Sequence, residues 1–191
     1  GCGKSTTIKA ILRLLDSTKG QILLENSDLV ALKPNETGRD PKAFKPFRRR
    51  MTVVQQDSRF SFFPDLSIRE SFKQISASSE GGTIEELEKN LEKVGLTSAH
   101  LDERPQQLSS GEMKRMDIAR ALTAKPDILL LDEPFAHIDF DTRLKVMQSI
   151  SEYLAVHATI LVIVTHEDFD LRYFVEKSFD FPELVGQFTG N

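Results

Sequence analysis

Apolar residues fall along this chain in two rhythms. Ile8, Ile11, Leu12 and Leu15 recur at spacings of three and four, which predicts a helix over residues 4–15 with one apolar face. Two short runs follow: Gln21-Ile22-Leu23-Leu24 behind Lys19-Gly20, and Met51-Thr52-Val53-Val54, a buried strand ending at Gln55-Gln56. From Pro64 to Lys125 the helical spacing returns, clearest in Ile84, Leu87, Leu91 and Val94, with Glu85 and Lys89 placed to pair one turn apart. Ile128-Leu129-Leu130-Leu131 and Thr159-Ile160-Leu161-Val162-Ile163-Val164 are almost wholly apolar, as strands covered on both faces must be. Strands separated by helical stretches predict an α/β fold on a parallel sheet, with residues 1–63 and 126–191 as core and 64–125 as a helical insert. A short helix, then a strand at residues 177–181, is expected after Glu167.

Composition narrows the function classes. A net charge of −4 gives no general field for nucleic acid, and the basic run at residues 45–50 reads as a solvated loop. No apolar run approaches the roughly eighteen residues of a membrane span. The single cysteine excludes an internal disulfide and suits a reducing cytosol.

Candidate chemistry lies at the ends of the predicted strands and at helix starts. Gly1-Cys2-Gly3-Lys4-Ser5-Thr6 has the spacing of the latter part of G-x-x-x-x-G-K-[ST], where backbone amides cradle phosphates, Lys4 reaches the outer phosphates and Ser5 meets Mg²⁺. Alone, so short a string also arises by chance. Asp132 and Glu133 end an apolar strand, on the edge where α/β sheets bind ligands. Asp132 suits Mg²⁺ and Glu133 suits activation of water, the plainer alternative being two solvated carboxylates. Leu108-Ser109-Ser110-Gly111-Glu112 leads into a helix, as an anion site or simply a cap. His166 ends the last strand on the same ligand edge, whereas His100 and His157 read as surface residues.

In this order the motifs resemble the ATP-binding subunits of ABC transporters. Residues 1–6 look like the end of the Walker A loop, Gln56 like the Q-loop glutamine, and residues 108–112 like the signature L-S-G-G-Q. Residues 128–133 resemble the Walker B strand with its glutamate, Ala136-His137-Ile138-Asp139 the D-loop, and His166 the switch histidine. The resemblance implies a P-loop ATPase fold and the substrates ATP and Mg²⁺. It assigns Glu133, His166 and Gln56 to catalysis, and Ser5, Gln56 and Asp132 to the metal. Nucleotide contacts fall to Gly1, Cys2, Gly3, Lys4, Ser5, Thr6, Ser109, Ser110, Gly111, Glu112 and Asp139.

The implied partners are a second ATP-binding subunit, facing this one head to tail, and transmembrane permease subunits that hold the chain on the cytoplasmic face of the plasma membrane. No nucleic-acid partner is expected. Phe62-Phe63-Pro64-Asp65-Leu66-Ser67-Ile68 resembles an importer stretch, and Phe60, Phe62 and Phe63 either receive a permease helix or pack within the insert. The alternatives are a soluble ABC-type ATPase of DNA repair or translation, and a degenerate fragment that no longer hydrolyses ATP.

Three departures stand out: Ser110 replaces a glycine, Glu112 replaces glutamine with a charge expected to repel nucleotide, and Ala136-His137 alters the D-loop. The family also places an antiparallel β portion and a central strand before Gly1, so this stretch made alone is expected to bind ATP poorly and to aggregate.

Overall fold

The computed structural model describes residues 4–12, 14–15, 20–24, 27–30, 44–79 and 82–174. They fall into two units, one before Met51 and one spanning Met51–Phe174.

In the first unit, helix α1 runs Lys4–Ile11 and buries Ile8, while Leu12 is buried just after its end. Strands β1, Leu23–Leu24, and β2, Ser27–Asp28, pair antiparallel. Asp28 Oδ1 fastens the open end of the pair by accepting from the amides of Ile22 at 3.2 Å and Val30 at 3.0 Å. The basic run is not a loop: residues Lys45–Arg49 form a short helix, α2. Pro46 suits a first helical turn, and the fully buried Phe44 anchors its start. Arg48 lies over the Phe44 ring at 5.5 Å and donates to Leu12 O at 3.0 Å, so its charge is folded back onto the protein.

The second unit is built on a parallel sheet of β3 (Met51–Val54), β4 (Ile128–Asp132) and β5 (Ile160–Val164), in the order β3-β4-β5. Met51 pairs with Ile128 and Ile128 with Ile160, so the three strands end almost level. All five residues of β4 are buried, as its apolar run requires. The expectation that β5 is covered on both faces fails: it is an edge among the described residues, and Ile160 is 59% exposed.

Between β3 and β4 the regular elements are all helical: α3 (Ile68–Ser79), α4 (Ile84–Lys93) and α5 (Ser110–Thr123), with 3₁₀ turns at Ser58–Ser61 and Ser98–Asp102. Leu87 and Leu91 of α4 pack with Met113, Met116 and Ile118 of α5, and that core runs on to Leu129 and Leu131 of the sheet. Helix α5 buries residues around most of its circumference, including Lys114 and Asp117. A capping box starts α4, Thr83 accepting from the Glu86 amide at 3.3 Å while Glu86 Oε2 accepts from the Thr83 amide at 3.0 Å. Glu86 also pairs with Lys125, an exposed contact worth little by itself. Helix α6 spans Phe140–Val156 and α7 spans Asp168–Phe174, while the strand expected at residues 177–181 lies outside the described residues.

Candidate active site

Strand β4 delivers Asp132 at its last position, buried to 6% exposure, with Oδ1 lacking any hydrogen-bond partner among the described residues. An orphaned, buried carboxylate oxygen is costly, and native proteins retain such atoms where a ligand or ion completes them. Glu133 follows with φ 48°, a left-handed conformation uncommon for a side chain other than glycine. Its amide still donates to Val164 O at 2.8 Å, extending the pairing with β5 before the chain turns away.

That turn carries the Glu133 carboxylate to the end of β5. Oε2 stands 2.8 Å from His166 Nδ1, joining two residues 33 positions apart because adjacent parallel strands end level. An ionised carboxylate only accepts, so the tautomer with its proton on Nδ1 is the one that hydrogen-bonds to it. His166 Nε2 is 3.4 Å from Glu167 Oε1, and the His166 side chain is 65% exposed while that of Glu133 is 14% exposed. The arrangement is a shielded carboxylate, oriented by an imidazole, next in sequence to a buried carboxylate with one oxygen unpartnered among the described residues.

Behind His166 a second, buried set of groups fixes the loop. Thr165 Oγ1 donates to Asp170 Oδ2 at 3.0 Å and accepts from the Glu167 amide at 3.0 Å. Asp170 Oδ1 accepts from Arg143 Nε at 2.8 Å and from Nη2, and Arg143 lies 5.7 Å from the Phe135 ring and 5.6 Å from that of Phe169.

The candidate signature opens α5. Ser109 is the N-cap: its hydroxyl accepts from the Glu112 amide at 3.3 Å, and Glu112 Oε2 accepts from the Ser109 hydroxyl at 2.7 Å and amide at 2.9 Å. Glu112 thus spends its charge on the cap, with His100 Nε2 3.9 Å from its other oxygen. These Ser109 hydrogen bonds, aided by His100 and Arg115, hold the carboxyl below the usual glutamate range. A group depressed in this way contributes stability above its unfolded value and loses it as pH falls through the folded one. Glu112→Gln keeps the box, so the two proteins are expected to differ at pH 7 by about 0.5 kcal/mol or less after solvent screening. Urea denaturation should show that difference shrink as pH drops below about 4; a difference that grows with acidity would contradict the capping role.

Ser110 is the first residue of α5 and is exposed. Gly111 has a close neighbour: a Cβ there would lie 2.8 Å from the backbone oxygen of His137. Glycine is therefore needed for approach to the candidate D-loop of the same chain, where His137 itself has φ 66°. Asp139 caps α6, its Oδ1 accepting from the Thr142 amide at 3.0 Å, a contact that holds its carboxyl below the usual range.

Gln56 follows β3 and is exposed, but its main chain is gripped: Lys114 Nζ donates to Gln55 O at 2.6 Å and Gln56 O at 2.8 Å. Sequence reasoning missed Lys114, which is only 2% exposed. The available signal was its period, since Lys114, Asp117 and Arg120 recur every three residues beside the equally spaced Met113, Met116, Ala119 and Leu122. His100 and His157 are half-buried rather than surface residues, His100 Nδ1 lying 3.0 Å from Thr97 Oγ1 and His157 4.3 Å from the Tyr153 ring. Phe62 is buried, while Phe60 and Phe63 are exposed. Lys4, Ser5 and Thr6 open α1 in the other unit, and Gly1, Cys2 and Gly3 lie outside the described residues.

Residues 1–136 match the ABC transporter family. The chain belongs to the ABC transporter ATP-binding family. It is 37% identical over 172 residues to the cell division ATP-binding protein FtsE of Bacillus subtilis, covering 87% of this chain and 69% of FtsE. It is 29% identical over 181 residues to the nickel import ATP-binding protein NikE of Pseudomonas putida, covering 93% of this chain and 64% of NikE. The chain spans 46–69% of the length of the first curated relatives it matches. Its fold is that of the ABC ATPases: the dimeric, ADP- and Pi-bound post-hydrolysis state of the ATP-binding cassette MJ0796 superposes with a TM-score of 0.75 at 27% identity. That superposition covers 90% of this chain and 73% of the cassette.

Proposed function

We propose that this chain is the ATP-binding and ATP-hydrolysing part of a membrane transporter, an importer, that works as a head-to-tail pair of such domains. The observation that carries the chemistry is the Glu133–His166 contact at 2.8 Å next to Asp132, whose Oδ1 has no partner among the described residues. Glu133 takes a proton from the water that attacks the γ phosphorus, the bond to the β-bridging oxygen breaks, and its electron pair leaves with ADP. His166 holds the Glu133 carboxylate through Nδ1, which keeps its acceptor lone pairs aimed while the proton moves.

Bound Mg²⁺ would neutralise charge gathering on the phosphate oxygens. Asp132 fits it: a hard oxygen donor, buried and unsatisfied, with no cage of three or more acidic, His or Cys side chains among the described residues. Mg²⁺ keeps several waters and takes one or two carboxylates together with phosphates, so such a cage is not required. Gln56 and Ser5 are the further ligands this reading assigns. Lys4, with the glycines and Cys2 before it and Thr6 after it, serves as the phosphate loop.

The pairing of two domains is supported by the dimeric state named for MJ0796, and import by the name of NikE. In this arrangement Ser109, Ser110, Gly111 and Glu112 of one copy, with its Asp139, face the nucleotide of the other. No described helix is long and apolar enough to cross a membrane. In this reading permease subunits hold the chain at the cytoplasmic face, which the import role in the name of NikE supports. The similarity to FtsE favours a second reading, in which the ATPase drives a membrane complex of cell division rather than solute entry.

Asp132→Asn tests the site without requiring turnover. Because Oδ1 has no hydrogen-bond partner among the described residues, its replacement is expected to leave the nucleotide-free melting temperature equal or higher, while the rise caused by MgATP disappears. A variant that keeps the full MgATP-dependent rise would refute the assignment of Asp132.

A further inference from the structure

Helix α5 holds the end of β3 and the segment after it at three places, about a turn apart along the helix. Lys114 Nζ binds the carbonyls of Gln55 and Gln56, Asp117 Oδ2 accepts from Ser61 Oγ at 2.9 Å, and Arg120 Nη2 donates to Val53 O at 3.0 Å. Asp117 and Arg120 are bound to each other, Nε to Oδ1 at 2.8 Å, so their charges balance locally. Lys114 differs. No carboxylate lies within ion-pair distance of it among the described residues, and burial pushes its ammonium down from the ordinary lysine range despite Asp117, Asp132, Asp57 and Glu133 further off.

An apolar residue would fill that position at less cost than a desolvated ammonium held by two neutral carbonyls. What the ammonium adds is placement. Its Cα sits one turn into α5 from Ser109 and Gly111, and its nitrogen grips the main chain that presents Gln56. Loop and helix are thereby tied at the point nearest the candidate signature.

We propose that Lys114 is a positioning residue that fixes Gln56 to the start of α5, so that a shift of either is passed to the other. The functional consequence rests on the ATPase reading above; the mechanical tie does not. Gln56 is otherwise exposed at the end of a strand, and the 3₁₀ turn behind it is held by long main-chain bonds, Phe60 N to Asp57 O at 3.4 Å and Phe62 N to Arg59 O at 3.3 Å, and by the exposed Asp57 cap, whose Oδ1 accepts from the Arg59 amide at 3.0 Å. Without Lys114 the turn keeps Ser61 on Asp117 and its own Asp57 cap, but the Gln55 and Gln56 carbonyls lose their hold on α5.

Hydrogen exchange of the nucleotide-free chain tests the tie directly, because local opening is read apart from global unfolding. In Lys114→Met the amides of Phe60 and Phe62 should exchange about tenfold faster, the change expected for losing one charge-assisted hydrogen bond, while β4 and the second half of α5 keep their rates. Lys114→Arg should recover most of the protection, since it can reach the same carbonyls. Unchanged exchange at Phe60 and Phe62 overturns the proposal. So does a loss shared equally by β3, β4 and α5, which would mean the ammonium only supports the core.

Should the Met variant not fold, Lys114→Gln, polar and neutral, is read by the same exchange criteria. Phosphate release separates the mechanical tie from its effect on turnover. With the tie intact and the ATPase reading correct, Lys114→Met lowers kcat about tenfold and leaves KM for ATP within about twofold, a split that marks an interaction made in the transition state. No turnover in the unaltered protein would count against the ATPase reading alone. Fast exchange at Phe60 and Phe62 with unchanged kcat would remove the functional consequence of the tie.

Discussion

Glu133→Gln is expected to slow phosphate release by about 10²–10⁴-fold, the usual contribution of a general base, while nucleotide affinity stays close to that of the unaltered protein. The substitution is nearly isosteric, and its amide oxygen can still accept from His166 Nδ1 across the 2.8 Å contact. The left-handed backbone at residue 133 is no harder for Gln than for Glu. What is lost is the ability to take a proton, so kcat should fall and binding should not. Phosphate release and equilibrium ATP binding, measured in the subunit that carries this sequence, separate the two. A decrease smaller than about tenfold would remove Glu133 from the role of base.

The pair at the centre of that prediction was legible in the sequence because both residues close apolar strand runs. Level parallel strands bring such ends together. The apolar stretches marked β3, β4 and β5, and helical spacing marked α4 and α5, because burial enforces both periods. Charged residues inside the fold were harder to read. Lys114, Asp117 and Arg120 form a period-three stripe that looks like a solvated face, and only packing of α5 against the segment after β3 turns it inward. The basic run at residues 45–50 misled in the same way, since Arg48 folds back over Phe44 to complete a helix.

Glu112 and Gly111 show a different limit. Both were read as nucleotide contacts from the motif, while the local structure gives each a duty within the chain: one closes a capping box and the other clears the His137 carbonyl. Such duties do not exclude a ligand, but they mean that loss of function on substitution would not by itself identify a contact. The buried Asp132 oxygen is the opposite case, for nothing described within the chain employs it.

Arg143→Ala is expected to cost about 3–5 kcal/mol of unfolding free energy, the range for removing one partner of a buried ion pair. Asp170 is 1% exposed and would keep Thr165 as a described partner while losing the guanidinium that neutralises it; the stacking of Arg143 between Phe135 and Phe169 would go as well. A shift in the urea midpoint at constant slope reads the cost, and a change below about 1 kcal/mol would show the pair to be dispensable. Replacing both partners together, Arg143→Met with Asp170→Leu, should recover most of the loss, since apolar packing often matches a buried pair in stability. Turnover should not recover with it. Thr165, which ties His166's neighbour to Asp170, would still lack that carboxylate, leaving the histidine less well aimed at Glu133 in a protein of near-normal stability. A double variant that regained both stability and turnover would mean that the ion pair supports the fold alone.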